Sequence, residues 1–69
     1  MEVDVKRLRQ LRRERVLSMR ELEVASGVSY NTIYRLENGI TGGQPRTIRK
    51  LAKALGVDAG ELVKTGEER

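Results

Sequence analysis

The chain has 69 residues, 38% of them hydrophobic and 3% aromatic; both aromatics are tyrosine, and Cys, His, Trp and Phe are absent. That length suits one small domain near the lower limit of what a single apolar core stabilises. The missing Cys and His exclude a thiolate nucleophile, a disulfide framework, a zinc finger and an imidazole base.

Lys and Arg number 14 against 10 Asp and Glu, for a net charge of +4. With a pI near 10.0, that balance points to an anionic partner and is the first mark of a nucleic-acid binder. No apolar run approaches the roughly 18 residues of a membrane span. The acidic start Met1-Glu2-Val3-Asp4 lacks the apolar stretch of a signal peptide. A cytoplasmic domain occupying residues 1–64, with a frayed tail at 65–69, is the expectation. It calls for no cofactor, no metal and no membrane. The carboxylates are scattered among bases, so no catalytic arrangement can be proposed and an enzyme is the weakest reading.

Five helical segments follow in order. Val5, Leu8 and Leu11 recur at helical spacing behind Asp4, a suitable N-cap, and the pattern dissolves near Val16-Leu17. Ser18-Met19-Arg20-Glu21 spells a capping box and opens a second helix carrying Leu22 and Ala25, which Gly27 stops. Only Val28 separates Gly27 from Ser29, the N-cap of a third helix from Tyr30 to Asn38 with Ile33 and Leu36 inward. Residues 39–44 read as a loop, and without a Gly-Lys-Ser/Thr ending they are no phosphate-binding P-loop. Pro45 fits the first turn of a fourth helix, in which Ile48, Leu51, Ala52 and Leu55 form one apolar face before Gly56. Asp58-Ala59-Gly60-Glu61 resembles another capping box and implies a short fifth helix carrying Leu62 and Val63.

Charge is uneven along these elements. Lys6, Arg7, Arg9, Arg12, Arg13, Arg15 and Arg20 face one acid, Glu14, between residues 6 and 20, and a second cluster gathers Arg46, Arg49, Lys50 and Lys53. A basic run is a solvated face or part of a binding surface, and the two clusters matter together only if the fold unites them.

Two short helices joined by Gly27-Val28-Ser29 make the helix-turn-helix pattern. With Leu8 to Arg12, Leu17 to Leu22, Gly27 to Gly39 and Thr47 to Val57 in order, the chain resembles the phage-repressor/Cro-like helix-turn-helix family (lambda repressor-like, XRE-type) from about Leu8 to Val63. The resemblance implies an all-α, five-helix DNA-binding domain whose third helix enters the major groove by its N-terminal end. It places Tyr30, Asn31 and Arg35 at base-reading positions. Ser29 and Thr32 fall where the family contacts phosphate, and so do Met19, Arg20, Gln44 and Arg46. It would give the two basic clusters a common surface, with the basic face of the first helix turned partly away from DNA and some of its charges only solvated. Asn31 has the carboxamide that pairs with adenine, whereas Arg35 has reach for a guanine or a phosphate, and the sequence does not rank these. Tyr34 is expected beside the fourth helix or at the groove edge. Arg12 and Glu37 match a partly buried ion pair between the first and third helices.

Two positions depart from the family pattern. Met19 replaces a customary Gln that clamps phosphate and recognition helix together. Glu23 replaces a small residue at the helix crossing, so its carboxylate must bend outward toward Arg20 or Arg35, or the crossing must open. The function implied is a sequence-specific transcriptional regulator, a repressor, acting on an inverted-repeat site in double-stranded DNA as a homodimer through Val57, Leu62 and Val63. The alternative is a protein-interaction module or antitoxin with the same fold; the absence of acids among Tyr30, Asn31, Thr32, Tyr34 and Arg35 favours DNA.

Overall fold

The computed structural model describes residues 2–64; the frayed tail expected from Thr65 lies outside the described residues. Four α-helices follow one another: α1 (Val5–Glu14), α2 (Met19–Ser26), α3 (Tyr30–Glu37) and α4 (Pro45–Leu55). Three of the expected N-caps form. Asp4 accepts the Arg7 N–H at 3.1 Å, Ser29 accepts the Thr32 N–H at 3.2 Å, and Ser18 with Glu21 completes both halves of the capping box. Such caps satisfy N–H groups that a helix cannot pair internally, and each contributes about 1 kcal/mol to helices only 8–11 residues long.

One core unites the elements. Leu8 and Leu11 of α1, Leu22 of α2, Ile33 and Leu36 of α3, and Ile48, Leu51 and Leu55 of α4 are all fully or nearly fully buried. Val28, in the turn between α2 and α3, seals the crossing. In α2 only Leu22 is buried, while Ala25 faces solvent. The loop at 39–44 is anchored at Gly43, whose backbone is buried. A Cβ there would lie 2.5 Å from Ile48 Cδ1 and 2.8 Å from Val3 Cγ2, so only glycine permits this close approach.

The expected fifth α-helix is a single 3₁₀ turn, Ala59–Leu62, so the described chain has four α-helices and not five. Two causes are visible. Asp58 makes no side-chain cap, and Glu61 pairs with Arg7 of α1 instead of completing a box. Beyond Leu62 the backbone becomes extended and Val63 forms an antiparallel bridge with Val3. The Asp4 N–H donates to the Leu62 carbonyl at 2.9 Å and the Lys64 N–H to the Glu2 carbonyl at 3.0 Å. Pairing with the start of the chain thus competes with helix continuation and wins, aided by Gly60, a poor helix former.

α1 ends in a Schellman motif: the Leu17 N–H donates to the Arg12 carbonyl and the Val16 N–H to the Arg13 carbonyl. The residue in the left-handed position is Val16, at φ 53° and 85% exposed. A β-branched side chain is strained there and buries little in return. Val16→Gly is therefore expected to stabilise the fold by about 1 kcal/mol, after the added unfolded-state freedom of glycine is deducted. A thermal melt showing no gain would mean that the strain is absent.

Candidate nucleic-acid interface

The turn between α2 and α3 is fixed by short-range bonds. The Gly27 N–H donates to the Glu23 carbonyl at 2.8 Å, with Gly27 at φ 77°. The Ser26 hydroxyl donates to the Leu22 carbonyl at 2.6 Å and accepts the Val28 N–H at 3.1 Å. With Val28, Ile33 and Leu36 turned into the core, the opposite face of α3 is left to solvent.

That face carries Asn31 and Arg35, both exposed, beside half-buried Tyr30. The Tyr30 and Tyr34 rings stack with centroids 6.4 Å apart, and Tyr34 is 45% exposed. The Arg20 guanidinium carbon lies 4.5 Å from the Tyr30 ring centroid, a cation–π contact that ties α2 to the start of α3. Glu23 bends toward Arg20, at 4.0 Å, and also accepts the Tyr30 N–H at 3.1 Å. The Ser29 hydroxyl donates to that of Thr32 at 2.9 Å, which leaves the Thr32 hydroxyl proton for an outside acceptor.

The flanking positions differ in character. The Met19 side chain is half-buried against the core, so only its N–H, unpaired by the helix itself, is available at the start of α2. Gln44 stands at the N-cap of α4 without a side-chain capping bond, and Arg46 is exposed in the first turn. Thr32, Arg35, Gln44 and Thr47 line a polar groove of about 310 Å³ between α3 and α4.

Four arginines of the basic run at α1 are engaged away from this surface. Arg9 donates to the Glu37 carbonyl at 2.7 Å, Arg15 donates to the Leu55 carbonyl, and Arg7 pairs with Glu61. Arg12 grips Glu37 through two bonds of 2.6 and 2.9 Å and donates a third, of 2.7 Å, to the Leu17 carbonyl. Glu37 is fully buried. Its hydrogen bond to Arg12 holds that guanidinium above its ordinary, already high pKa, against the opposing effect of burial. Arginine suits this work because its planar fork matches a carboxylate and its charge favours the carbonyl ends of α3 and α4. The ties meet α3 at Glu37, about 10 Å along the helix from Tyr30. The common surface expected for the two clusters is therefore not formed by these arginines. Charge counting alone did not reveal this; the signal was arginine at three-residue spacing (Arg9, Arg12, Arg15) along one side of α1.

Leu62 is also placed otherwise than expected. It is fully buried in its own core because the 3₁₀ turn directs it there, so it is not available to a second copy of the folded chain. Val57 and Val63 pack only partly against that core.

Two short helices locked by a glycine turn, the second presenting a polar face at its N-terminal half, define a helix-turn-helix domain. A family profile described as a helix-turn-helix domain matches residues 5–64, and the chain belongs to that family, as a helix-turn-helix protein of the phage-repressor/Cro-like type. It is similar to the HTH-type transcriptional repressor RghR of Bacillus subtilis, 46% identical over 68 residues that cover 96% of this chain and 50% of the relative. It also resembles the cryptic phage CTXphi transcriptional repressor RstR of Vibrio cholerae, 39% identical over 61 residues, covering 88% of this chain and 55% of the relative. Among solved structures it resembles the restriction-modification controller protein C.AhdI of Aeromonas hydrophila, with a TM-score of 0.78 and 33% identity over 83% of this chain and 86% of that one. The chain spans about half the length of these two curated relatives.

Proposed function

We propose that the chain is a sequence-specific, double-stranded DNA-binding transcriptional regulator, a repressor working in the cytoplasm. The observation that carries the reading is the outward face of α3, where exposed Asn31 and Arg35 stand beside Tyr30. In this reading Tyr30, Asn31 and Arg35 meet base edges. Arg20, Ser29, Thr32, Gln44, Arg46 and the Met19 N–H hold the phosphates on either side. The repressor names of the two curated relatives support the direction of regulation.

A single copy reads few base pairs, so a homodimer on an inverted repeat supplies the remaining affinity and specificity. With Leu62 buried, the surface we assign to the second copy is Val57, Val63 and the shallow groove that Pro45, Arg49 and Ala59 line. Two-fold symmetry would set the α3 helices about 34–36 Å apart on half-sites about 10 base pairs apart.

Titrating duplex DNA at increasing salt tests the reading. Log affinity is expected to fall linearly with log salt, by about 0.9 per phosphate neutralised; a slope near zero would favour a protein partner. Sedimentation with a site selected from random DNA tests the assembly. One protein per duplex, on a site without inverted symmetry, would sink the homodimer.

A further inference from the structure

A carboxylate occupies the end of α3 to which a helix ordinarily draws an anion. Tyr30 opens α3, and its N–H donates to Glu23 at 3.1 Å across the turn. The Thr32 N–H is taken by Ser29. Two of the first three donors of the helix are thus satisfied from within, one of them by a full negative charge. The other Glu23 oxygen lies 4.0 Å from Arg20 Nη1, and Arg20 lies over the Tyr30 ring. Three contacts close a circuit: Glu23 to the Tyr30 backbone, the Tyr30 ring to Arg20, and Arg20 back to Glu23. Glu23 remains 36% exposed, so its charge is felt by whatever approaches this end of α3.

We infer that Glu23 is a specificity-determining residue, setting the ratio between sequence-selective and sequence-blind binding of duplex DNA. The inference rests on the DNA-binding reading above. A further phosphate, taken by the backbone N–H groups of α3 themselves, would add affinity on every sequence alike; the carboxylate already bound there repels it. The same carboxylate steadies Arg20 against Tyr30, so the Tyr30 ring meets the bases in one arrangement. The first effect lowers unspecific affinity and the second preserves affinity for the correct site. Both therefore widen the gap. Glu23 acts through Arg20 and Tyr30 and is not itself assigned a base.

The test compares the full chain with Glu23→Gln and Glu23→Ala on a selected duplex and on random-sequence duplex, each across a range of salt. Glu23→Gln keeps an oxygen for the Tyr30 N–H and removes the charge, so it preserves the turn. Its affinity for random sequence is expected to rise about five-fold, the effect of removing one like charge near a phosphate in water. Its salt slope should steepen by about 0.9, the increment of one further phosphate. Affinity for the selected site should rise less, so the specificity ratio falls. In Glu23→Ala the ratio should fall further, because the Tyr30 N–H loses its acceptor as well. An unchanged ratio in both variants overturns the inference, whether both affinities rise together or neither moves, while the wild-type salt slope leaves DNA binding intact. A wild type without salt-dependent duplex binding overturns the DNA-binding reading and this inference with it.

Discussion

Replacing Arg12 by methionine is expected to destabilise the fold by about 3 kcal/mol, the lower end of the range for breaking a buried ion pair. Methionine keeps much of the apolar stem but leaves Glu37, which is fully buried, without its two short bonds. Arg9 Nε, 3.8 Å from the Glu37 carboxylate, compensates in part, hence the lower end. At roughly 4–8 °C per kcal/mol for a domain of this size, the thermal midpoint should fall by about 12–24 °C. Arg12→Met/Glu37→Leu removes both charges and should lie closer to wild type than the single Arg12 variant, since an apolar pair carries no desolvation penalty. Strictly additive losses in this cycle would mean that the pair does not interact. Because the Arg12 pKa is raised in the folded chain, its contribution is complete below the ordinary arginine pKa. It is lost only as pH rises through the folded value, beyond the working range, so alkaline buffer should not mimic the mutation.

Asn31→Ala should cost about 1–3 kcal/mol on a selected site and much less on random sequence, with preference relaxed at one base pair. Asn31 is exposed on the second residue of α3, and its side chain takes no part in the fold's capping bonds, so the loss is one of recognition and not of stability. Arg46→Ala supplies the contrast: exposed in the first turn of α4, it should weaken all sequences by a similar factor and reduce the salt slope by about 0.9. Binding titrations on both duplexes decide between the two patterns. Equal losses on selected and random DNA for Asn31→Ala would move it from base reading to backbone contact.

The helices were legible in the sequence because their signals are local. Asp4, Ser18 and Ser29 cap within three residues, Gly27 and Gly56 close helices in the left-handed conformation, and the apolar face of α4 repeats every three or four residues. The periodicity gave Ile33 and Leu36 as the inward side of α3; the resemblance singled out Asn31 and Arg35, and both are exposed. What escaped depends on contacts between distant segments. The fifth helix was lost to a backbone pairing of Val3 with Val63, sixty residues away, which no local pattern encodes. The α1 arginines could be read as a solvated or a binding face because charge is visible in sequence while its partner is not: the partners are backbone carbonyls at the ends of α3 and α4 for Arg9 and Arg15, and the carboxylates of Glu37 and Glu61 for Arg12 and Arg7. Glu23 was read as bending toward Arg20 or Arg35. Its bond to the Tyr30 N–H exists only because the turn sets the helix crossing.

The tyrosine pair also makes α3 its own optical reporter. The chain has two tyrosines and no tryptophan, and both tyrosines stand on α3, their rings within 6.4 Å of one another. All intrinsic emission and almost all near-ultraviolet dichroism therefore originate on the face assigned to DNA, with no background from the core. A partner arriving at this face changes the signal; one docking at the far side of the bundle leaves it still. Without any label, the molecule reports which of its surfaces has been occupied.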